Sequence, residues 1–180
     1  MDAKTFDLSE MLSGINYPTV DVPVFLNEDL AFRIADLDER IAKHPEDEAL
    51  ETERESLVEE AKKFLYVVHL KGISRDTYLT ALEQVTSEHK PETDSLGRLK
   101  PNPEGDAALE RKLWALYIES VTDPSGRTVD GVSEEEAHGL IRNLPYTAVE
   151  AIGQGISDLS LKTRKGFEDL ALETDFLSQR

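Results

Sequence analysis

The strongest constraint in this 180-residue sequence lies between residues 105 and 160, where three helical patterns follow one another. The first has a wide apolar face and predicts an amphipathic helix that ends near Thr122. The next four residues, Asp123–Gly126, match a type I turn, because Asp, Pro and Gly stand at the positions that each favours. The apolar face of the first helix consists of Leu109, Leu113, Trp114, Leu116, Tyr117, Ile118 and Val121.

Two further helices are predicted after this turn. Ser133 and Glu136 form a capping box, and Val132 precedes it as one half of a hydrophobic staple with Ala137. Pro145 suits the first turn of the third helix. The three helices together predict a compact helical module. The buried stripe of the second helix would be Ala137, Leu140, Ile141 and Leu144, and that of the third Val149, Ile152, Ile156 and Leu159.

The beginning of the chain predicts a small β element. Residues 1–18 contain scattered apolar residues and are compatible with a short helix or an arm. Thr19–Leu26 is rich in β-branched residues, and Pro23 within it permits only an edge strand. Leu30–Ile34 is expected to return as a second short strand. The two strands would form a hairpin.

Residues 35–64 predict a helical hairpin with an acidic outer face, broken at His44 and Pro45. Residues 65–73 are the best strand pattern in the chain, and Ser74 is expected to cap the helix that follows. His69 alternates with apolar neighbours and is interpreted as a hydrogen-bonded structural residue. The helix after Ser74 would bury Tyr78, Leu79, Leu82 and Val85.

The predicted fold class is mainly α with a small β element (α+β), comprising short N-terminal strands, a helical hairpin and a C-terminal helical module. Residues 87–104 predict an exposed loop because they are rich in Pro and Gly. Residues 161–180 would form a last amphipathic helix lined by Phe167, Leu170 and Ala171. The expected organisation is an N-terminal region at residues 1–90, a loop at 91–104 and a helical module at 105–180.

Charge and composition exclude several classes of function. The chain has 37 acidic and 20 basic residues, a net charge of −17, and no cysteine. Such a charge repels nucleic acid and anionic membrane surfaces. No apolar run is long enough to span a bilayer, and the first residues do not resemble a signal peptide, so a cytoplasmic protein is expected.

No catalytic, cofactor or metal site is predicted. Residues Asp123–Glu134 have the outline of a calcium-binding loop, but Arg127 lies at a ligand position and Thr128 replaces the required glycine. Gly153 and Gly155 lack the context of a phosphate-binding loop and indicate close helix packing or a kink. The four histidines are scattered without metal-ligand spacing. The chain is therefore interpreted as a binding protein and not an enzyme.

The order of these elements resembles that of the tail assembly chaperones of long-tailed bacteriophages, particularly those that infect actinobacteria. The resemblance rests on the strand pair TVDVPVFLNEDLAFRI, the acidic helix ADLDERI and the segment YVVHLKGISRDTYLTALEQVTSEH. It continues through LWALYIESVTDPSGRTVDGVSEEEAHGLIRNLP to the closing FEDLALETDFLSQR. It covers nearly the whole chain and depends on layout, because the family has no catalytic signature.

The resemblance implies an assembly factor in the host cytoplasm that is absent from the mature virion. Its partners would be the tape measure protein, the tail tube protein and a frameshift-extended form of the chaperone itself. Apolar contacts would dominate recognition of a helical partner. The candidate contact residues are the large apolar side chains Leu57, Phe64, Trp114, Tyr117, Phe167 and Phe176.

Two other functions remain open at this stage. A structural virion protein, such as a connector or tail component, would equally lack catalytic residues, but it would be found in purified particles. An acidic DNA mimic would use the net charge directly, although its acids would need to be free of interspersed bases. The hypothesis of a DNA mimic is the weakest of these, because 20 Lys and Arg are distributed among the acidic residues.

Overall fold

The computed structural model describes residues 14–173, with six helices and four strands in that part of the chain. This is a mainly helical α+β fold, which confirms the predicted class. In chain order the elements are β1 (Thr19–Phe25), α1 (Glu28–Lys43), α2 (Glu48–Ala61), β2 (Leu65–Lys71), α3 (Arg75–Glu88), α4 (Pro103–Tyr117), β3 (Ile118–Thr122), β4 (Thr128–Asp130), α5 (Glu134–Asn143) and α6 (Tyr146–Glu173).

The four strands form one antiparallel sheet in the order β1-β2-β3-β4. β1 lies at an edge, as Pro23 requires, since proline cannot donate to a second neighbouring strand. β1 pairs with β2, with Thr19 opposite Lys71 and Phe25 opposite Leu65. The sheet therefore joins residues near position 20 to residues near position 120, across the expected regions 1–90 and 105–180.

The main hydrophobic core lies on one face of this sheet. Alternate residues of β1 and β2 point into it, and α6 packs across these strands. Trp114, at the end of α4, is 3% exposed and fills the space beside Ile118. The buried members are Val22, Val24, Val68, Leu70, Trp114, Ile118, Ala137, Ala148, Ile152 and Leu159.

Helices α1 and α2 form the predicted hairpin and have a core of their own. Leu30, Leu37, Leu50 and Leu57 are buried between the two helices. Phe25 and Phe64 pack against this second core from the ends of the adjacent strand and turn. The hairpin therefore joins the sheet through a small contact region and behaves structurally as an arm.

The predicted strand at Leu30–Ile34 is wrong, because these residues lie in α1. The Asn27 side chain caps this helix by accepting a hydrogen bond from the Leu30 N–H at 3.0 Å. Glu28 and Asp29 then favour the first turn through the helix dipole. The partner of β1 is β2, about forty residues further along the chain.

The helix predicted to continue to Thr122 ends instead at Tyr117. Ile118–Thr122 forms β3, an inner strand between β2 and β4. Ile118 and Val121 are three residues apart, a spacing that favours one face of a helix over one face of a regular strand. In β3 an irregularity in the pairing opposite His69 and Leu70 lets Ile118 pair with Leu70 and Val121 with Val68.

The predicted turn at Asp123–Gly126 is present, but it joins two strands instead of two helices. Asp123 accepts from the N–H of Gly126 at 2.9 Å through its carbonyl, and Gly126 has φ +85°. The loop at Asp94–Arg98 has the same construction, with Gly97 at φ +76°. Both loops follow the pattern Thr-Asp-x-x-Gly-Arg, so the exposed loop at residues 87–104 contains a second, shorter hairpin.

The long helix α6 begins directly after Pro145 and continues through Glu173, so the separate last helix expected from residue 161 is wrong. Gly155 lies where α6 crosses the sheet. A Cβ atom at this position would come within 2.6 Å of Val22 Cγ2 and 2.8 Å of Leu70 Cδ1. Of the two alternatives expected for Gly153 and Gly155, close helix packing or a kink, close packing is present at Gly155, whereas an added Cβ at Gly153 would meet nothing within 4 Å.

The predicted caps at Ser74 and Ser133 are both confirmed. None of the helices in the described residues is both long and apolar enough to cross a membrane.

Candidate functional site: an apolar groove between two helices

The candidate interaction site lies between α3 and α4, which pack against each other. The two helices approach closely because small residues stand at their contact, with Ala81 and Ala108 both buried. Close approach of helices through small side chains leaves the larger neighbouring side chains on the flanks. We call the resulting surface the α3–α4 groove. It comprises the cleft lined by Leu82, Val85, Leu99 and Leu109 and the neighbouring pair Tyr78 and Tyr117.

The open end of the α3–α4 groove carries two tyrosines. Tyr78 is 37% exposed and Tyr117 is partly buried. Burial raises the pKa of Tyr117 above its ordinary value, and the neighbouring Tyr78 adds to this shift. Leu79 and Leu116, on the same two helices, are 38% and 37% exposed. Large apolar side chains are therefore exposed on both helices.

The other end of the α3–α4 groove is a cleft of about 380 Å³ under the loop that joins the two helices. Asn102 anchors this loop by donating to the His89 carbonyl at 3.0 Å and accepting from the Gly105 N–H at 3.1 Å. Leu99, on the loop, is 73% exposed at the cleft. The apolar residues lining the cleft are Leu82, Val85, Pro91, Leu99, Pro101 and Leu109.

The candidate contact residues from the sequence fall in different places. Leu57 is buried in the arm and Trp114 in the main core, so a partner would reach either only if that core opened. Phe64 is partly buried where the arm meets the sheet. Tyr117 alone among these four lies in the α3–α4 groove. Phe176 lies outside the described residues, as does the side chain of Phe167, whose backbone is in α6.

Sequence reasoning missed Tyr78 and Leu79 as surface residues, because it assigned them to the buried face of α3. Val85 is buried as expected, but the residue that faces α4 one turn earlier is Ala81, at 2% exposed. The helix is therefore rotated relative to the prediction. The available signal was the presence of alanine and glycine at Ala81, Gly105 and Ala108, which permits close packing of α3 on α4.

The opposite face of the sheet carries a chain of polar side chains, one from each strand. Asp21 Oδ1 lies 2.7 Å from His69 Nδ1, and His69 Nε2 lies 2.9 Å from Thr122 Oγ1. Thr122 Oγ1 is in turn 2.9 Å from Thr128 Oγ1. A neutral imidazole that donates from Nδ1 to Asp21 accepts at Nε2 from the Thr122 hydroxyl. His69 is therefore hydrogen-bonded through both ring nitrogens, as expected.

This order of carboxylate, imidazole and hydroxyl also occurs in nucleophilic triads, but its setting here differs. β3 is an inner strand, so the backbone N–H groups around Thr122 pair in the ladders with β2 and β4. These N–H groups are therefore not free to stabilise an oxyanion. The hydrogen bonds of the chain connect all four strands on the face opposite the main core.

A basic depression of about 410 Å³ lies where the arm meets the β3–β4 turn. Two of its three cations are already engaged, since Lys62 pairs with Glu59 and Arg127 with Asp123, which leaves Lys63. Within residues 14–173, no three His, Cys, Asp or Glu side chains are grouped so as to hold a metal ion. The α3–α4 groove is thus the surface best suited to bind a partner, through apolar contacts.

Comparison with protein-family models, with curated proteins and with solved structures finds no significant match for this chain.

Proposed function

We propose that this protein is a tail assembly chaperone of a long-tailed bacteriophage that binds helices of the tape measure protein. The observation that carries the proposal is the α3–α4 groove, an apolar surface on a chain with a net charge of −17. A tape measure protein is long and helical, and an amphipathic helix binds such a groove with its apolar face. The high charge keeps the resulting complex soluble.

The groove has dimensions that suit a short helical segment. From Tyr78 to Val85 the α3 side spans about 11 Å, at roughly 1.5 Å per residue. A docked helix would therefore present two to three turns to it.

Recruitment of the tail tube protein and pairing with a frameshift-extended form of the chain belong to the same proposal. Both would take place in the host cytoplasm.

Co-expression with the tape measure protein of the same phage tests the proposal. We expect the unmodified chain to keep the tape measure protein soluble and Leu99→Asp to abolish this effect, because a carboxylate would have to be buried in the contact. Phe32→Asp is the matched control, since Phe32 is 73% exposed on α1, away from the groove. A tape measure protein that stays insoluble beside the unmodified chain would overturn the proposal.

The salt dependence of binding distinguishes a complex held by apolar contacts from one held by charge. Screening shortens from about 8 Å at physiological ionic strength to about 3 Å at 1 M salt. We expect the complex to remain intact through this range on a sizing column. Purified virions provide a second test, because a chaperone is absent from them, whereas a connector or tail component would be present in stoichiometric amounts.

A further inference from the structure

The apolar cleft of the α3–α4 groove adjoins a polar depression of about 390 Å³. The two are contiguous because four residues line both of them, namely His89, Lys100, Pro101 and Asn102. The Asn102 side chain, which donates to the His89 carbonyl, belongs to this shared wall. A ligand that fills the cleft therefore has room to place a neighbouring side chain in the depression.

Acidic residues outnumber lysines around the cleft and the depression. The charged lining residues are Glu88, Lys90, Glu92, Lys100, Glu104 and Asp106. Lys100 pairs with Glu92 at 2.9 Å. Among residues 14–173, no ion pair within 4 Å involves Glu88, Glu104 or Asp106, and the same holds for Lys90. This leaves three carboxylates against one unpaired lysine.

The C-terminal end of α3 adds negative potential at the same place. Glu88 is the last residue of α3, and the last turn of this helix contains no basic residue. A carboxylate there is unfavourable, because the unpaired carbonyls at a helix C-terminus carry partial negative charge. Glu104, by contrast, lies in the first turn of α4, where the helix dipole favours an acid. Helix stability therefore explains Glu104 but not Glu88, and a bound cation would relieve the repulsion at Glu88.

We infer that the α3–α4 groove takes a basic amphipathic helix, with a large apolar side chain in the cleft and a Lys or Arg side chain in the depression. The cation would lie near Glu88 and Glu104. Side chains three or four residues apart on a helix have Cβ atoms about 5 to 6 Å apart, so one helix supplies both groups. The inference rests on the proposed function, since it specifies the chemistry of the helix that the groove binds.

The two parts of this site would have different roles in recognition. The apolar contacts supply most of the affinity, because exposed carboxylates each contribute little. The carboxylates supply selectivity, because an acidic helix with the same apolar pattern would meet like charges at the depression. The net charge of −17 attracts a basic helix to the whole molecule, whereas Glu88 and Glu104 fix where its cation binds.

Two synthetic peptides and two double variants of the full-length protein test the inference. Both peptides are amphipathic helices of about 14 residues, or four turns, with the same leucine spacing. One peptide carries lysine at the remaining positions and the other carries glutamine. The site variant is Glu88→Gln with Glu104→Gln. The control variant is Glu55→Gln with Glu60→Gln, an equal change of charge at exposed positions on α2.

We expect the unmodified protein to bind the lysine peptide at least about fivefold more tightly than the glutamine peptide, measured by calorimetry. The site variant should weaken binding of the lysine peptide about five- to tenfold, and the control variant less than about twofold. Leu99→Asp should abolish binding of both peptides. Equal weakening by the two double variants would overturn the inference, because the peptide would then respond only to overall charge. Equal binding of the two peptides would also overturn it.

Co-expression with the tape measure protein separates this inference from the proposed function. A tape measure protein that stays insoluble, together with peptide binding that depends on Glu88 and Glu104, would remove the proposed function and leave the chemistry of the groove. A tape measure protein kept soluble by the unmodified chain, together with peptide binding that ignores Glu88 and Glu104, would remove the inference and leave the proposed function.

Discussion

Gly155 is the residue at which a single methyl group would disturb the main core. Val22 and Leu70, which a Cβ atom would meet at 2.6 and 2.8 Å, are themselves buried against the sheet. Val22 is β-branched and so has little rotamer freedom with which to move away. Glycine in a helix normally costs about 1 kcal/mol relative to alanine. At Gly155 close packing outweighs that cost.

We predict that Gly155→Ala destabilises the protein and that Gly153→Ala does not. Overpacking typically costs about 1 to 3 kcal/mol, whereas Gly153 has no atom within 4 Å of the added Cβ and gains helix propensity. Chemical denaturation of both variants gives the comparison. Equal stabilisation by the two substitutions would show that α6 can move away from the sheet at no cost.

Asp123 and Asp94 occupy equivalent positions in the two Thr-Asp-x-x-Gly-Arg hairpins. Each carboxylate accepts from two backbone N–H groups of its own loop and from the arginine four residues later. Asp123 receives one further hydrogen bond, from the Ser125 hydroxyl at 2.7 Å, where the other loop has Leu96. Hydrogen bonds to the ionised form lower the pKa of both carboxyls, and the Ser125 hydroxyl is the largest cause at Asp123.

We predict that Ser125→Ala raises the pKa of Asp123 towards that of Asp94, measured by NMR titration of the carboxyl carbons. Because the folded pKa of Asp123 is lowered, its contribution to stability is present above the unfolded value of about 3.9 and is lost as the pH falls towards the folded value. Asp94 provides the internal control, since its titration should not change. An unchanged Asp123 titration would contradict the assignment of the Ser125 hydroxyl as donor.

At the scale of elements, the α1–α2 arm has a hydrophobic core separate from the main one. Its core consists of four leucines that contact each other across the hairpin. The outer side pairs Arg54 with Asp38 across the two helices. Exposed ion pairs contribute at most about 1 kcal/mol, so the leucines supply most of the arm's stability.

We predict that Leu57→Ala loosens the arm while leaving α6 intact. Removing a buried leucine side chain costs about 2 to 5 kcal/mol, and here that cost falls on the smaller core. Hydrogen exchange followed by mass spectrometry should show faster exchange in α1 and α2 and unchanged exchange in α6. Phe32→Ala, an exposed position on the same arm, should have an effect below about 0.5 kcal/mol. Equal loss of protection throughout the chain would argue against a separate unit.

At the scale of the whole molecule, one core holds the early and late parts of the chain together. Val22 and Val68 lie before the loop at residues 91–104, whereas Trp114, Ile118 and Ile152 lie after it, and all five belong to the same cluster. β3 adds backbone pairing between the same two parts. The main body is therefore expected to unfold cooperatively.

We predict that Trp114→Ala lowers the free energy of unfolding by about 3 to 5 kcal/mol, the range for a buried aromatic residue. The effect should appear as a shift of the whole denaturation curve followed by circular dichroism. Leu116→Ala is the comparison on the same helix, and we expect a cost of about 1 kcal/mol because Leu116 is 37% exposed. A loss below about 1 kcal/mol for Trp114→Ala would contradict its place in the core.

The sequence by itself determined the features that depend on neighbouring residues. Ser74 and the Ser133–Glu136 pair start helices because their side chains bond to backbone N–H groups within three residues. Pro23 placed β1 at an edge for a similarly local reason. For the candidate site, the sequence predicted Tyr117 and the helical spacing of α4, but not the contribution of α3.

Only the tertiary structure decided the features for which local preferences were not sufficient. Ile118–Thr122 became a strand because β2 and β4 lie on either side to pair with it, and Leu30–Ile34 became helical because α2 covers its apolar side. The exposure of Tyr78 and Leu79 likewise followed from the rotation of α3 on α4. In each case the observed conformation is stabilised by contacts with residues distant in the chain. The spacing of apolar residues within one segment does not encode those contacts.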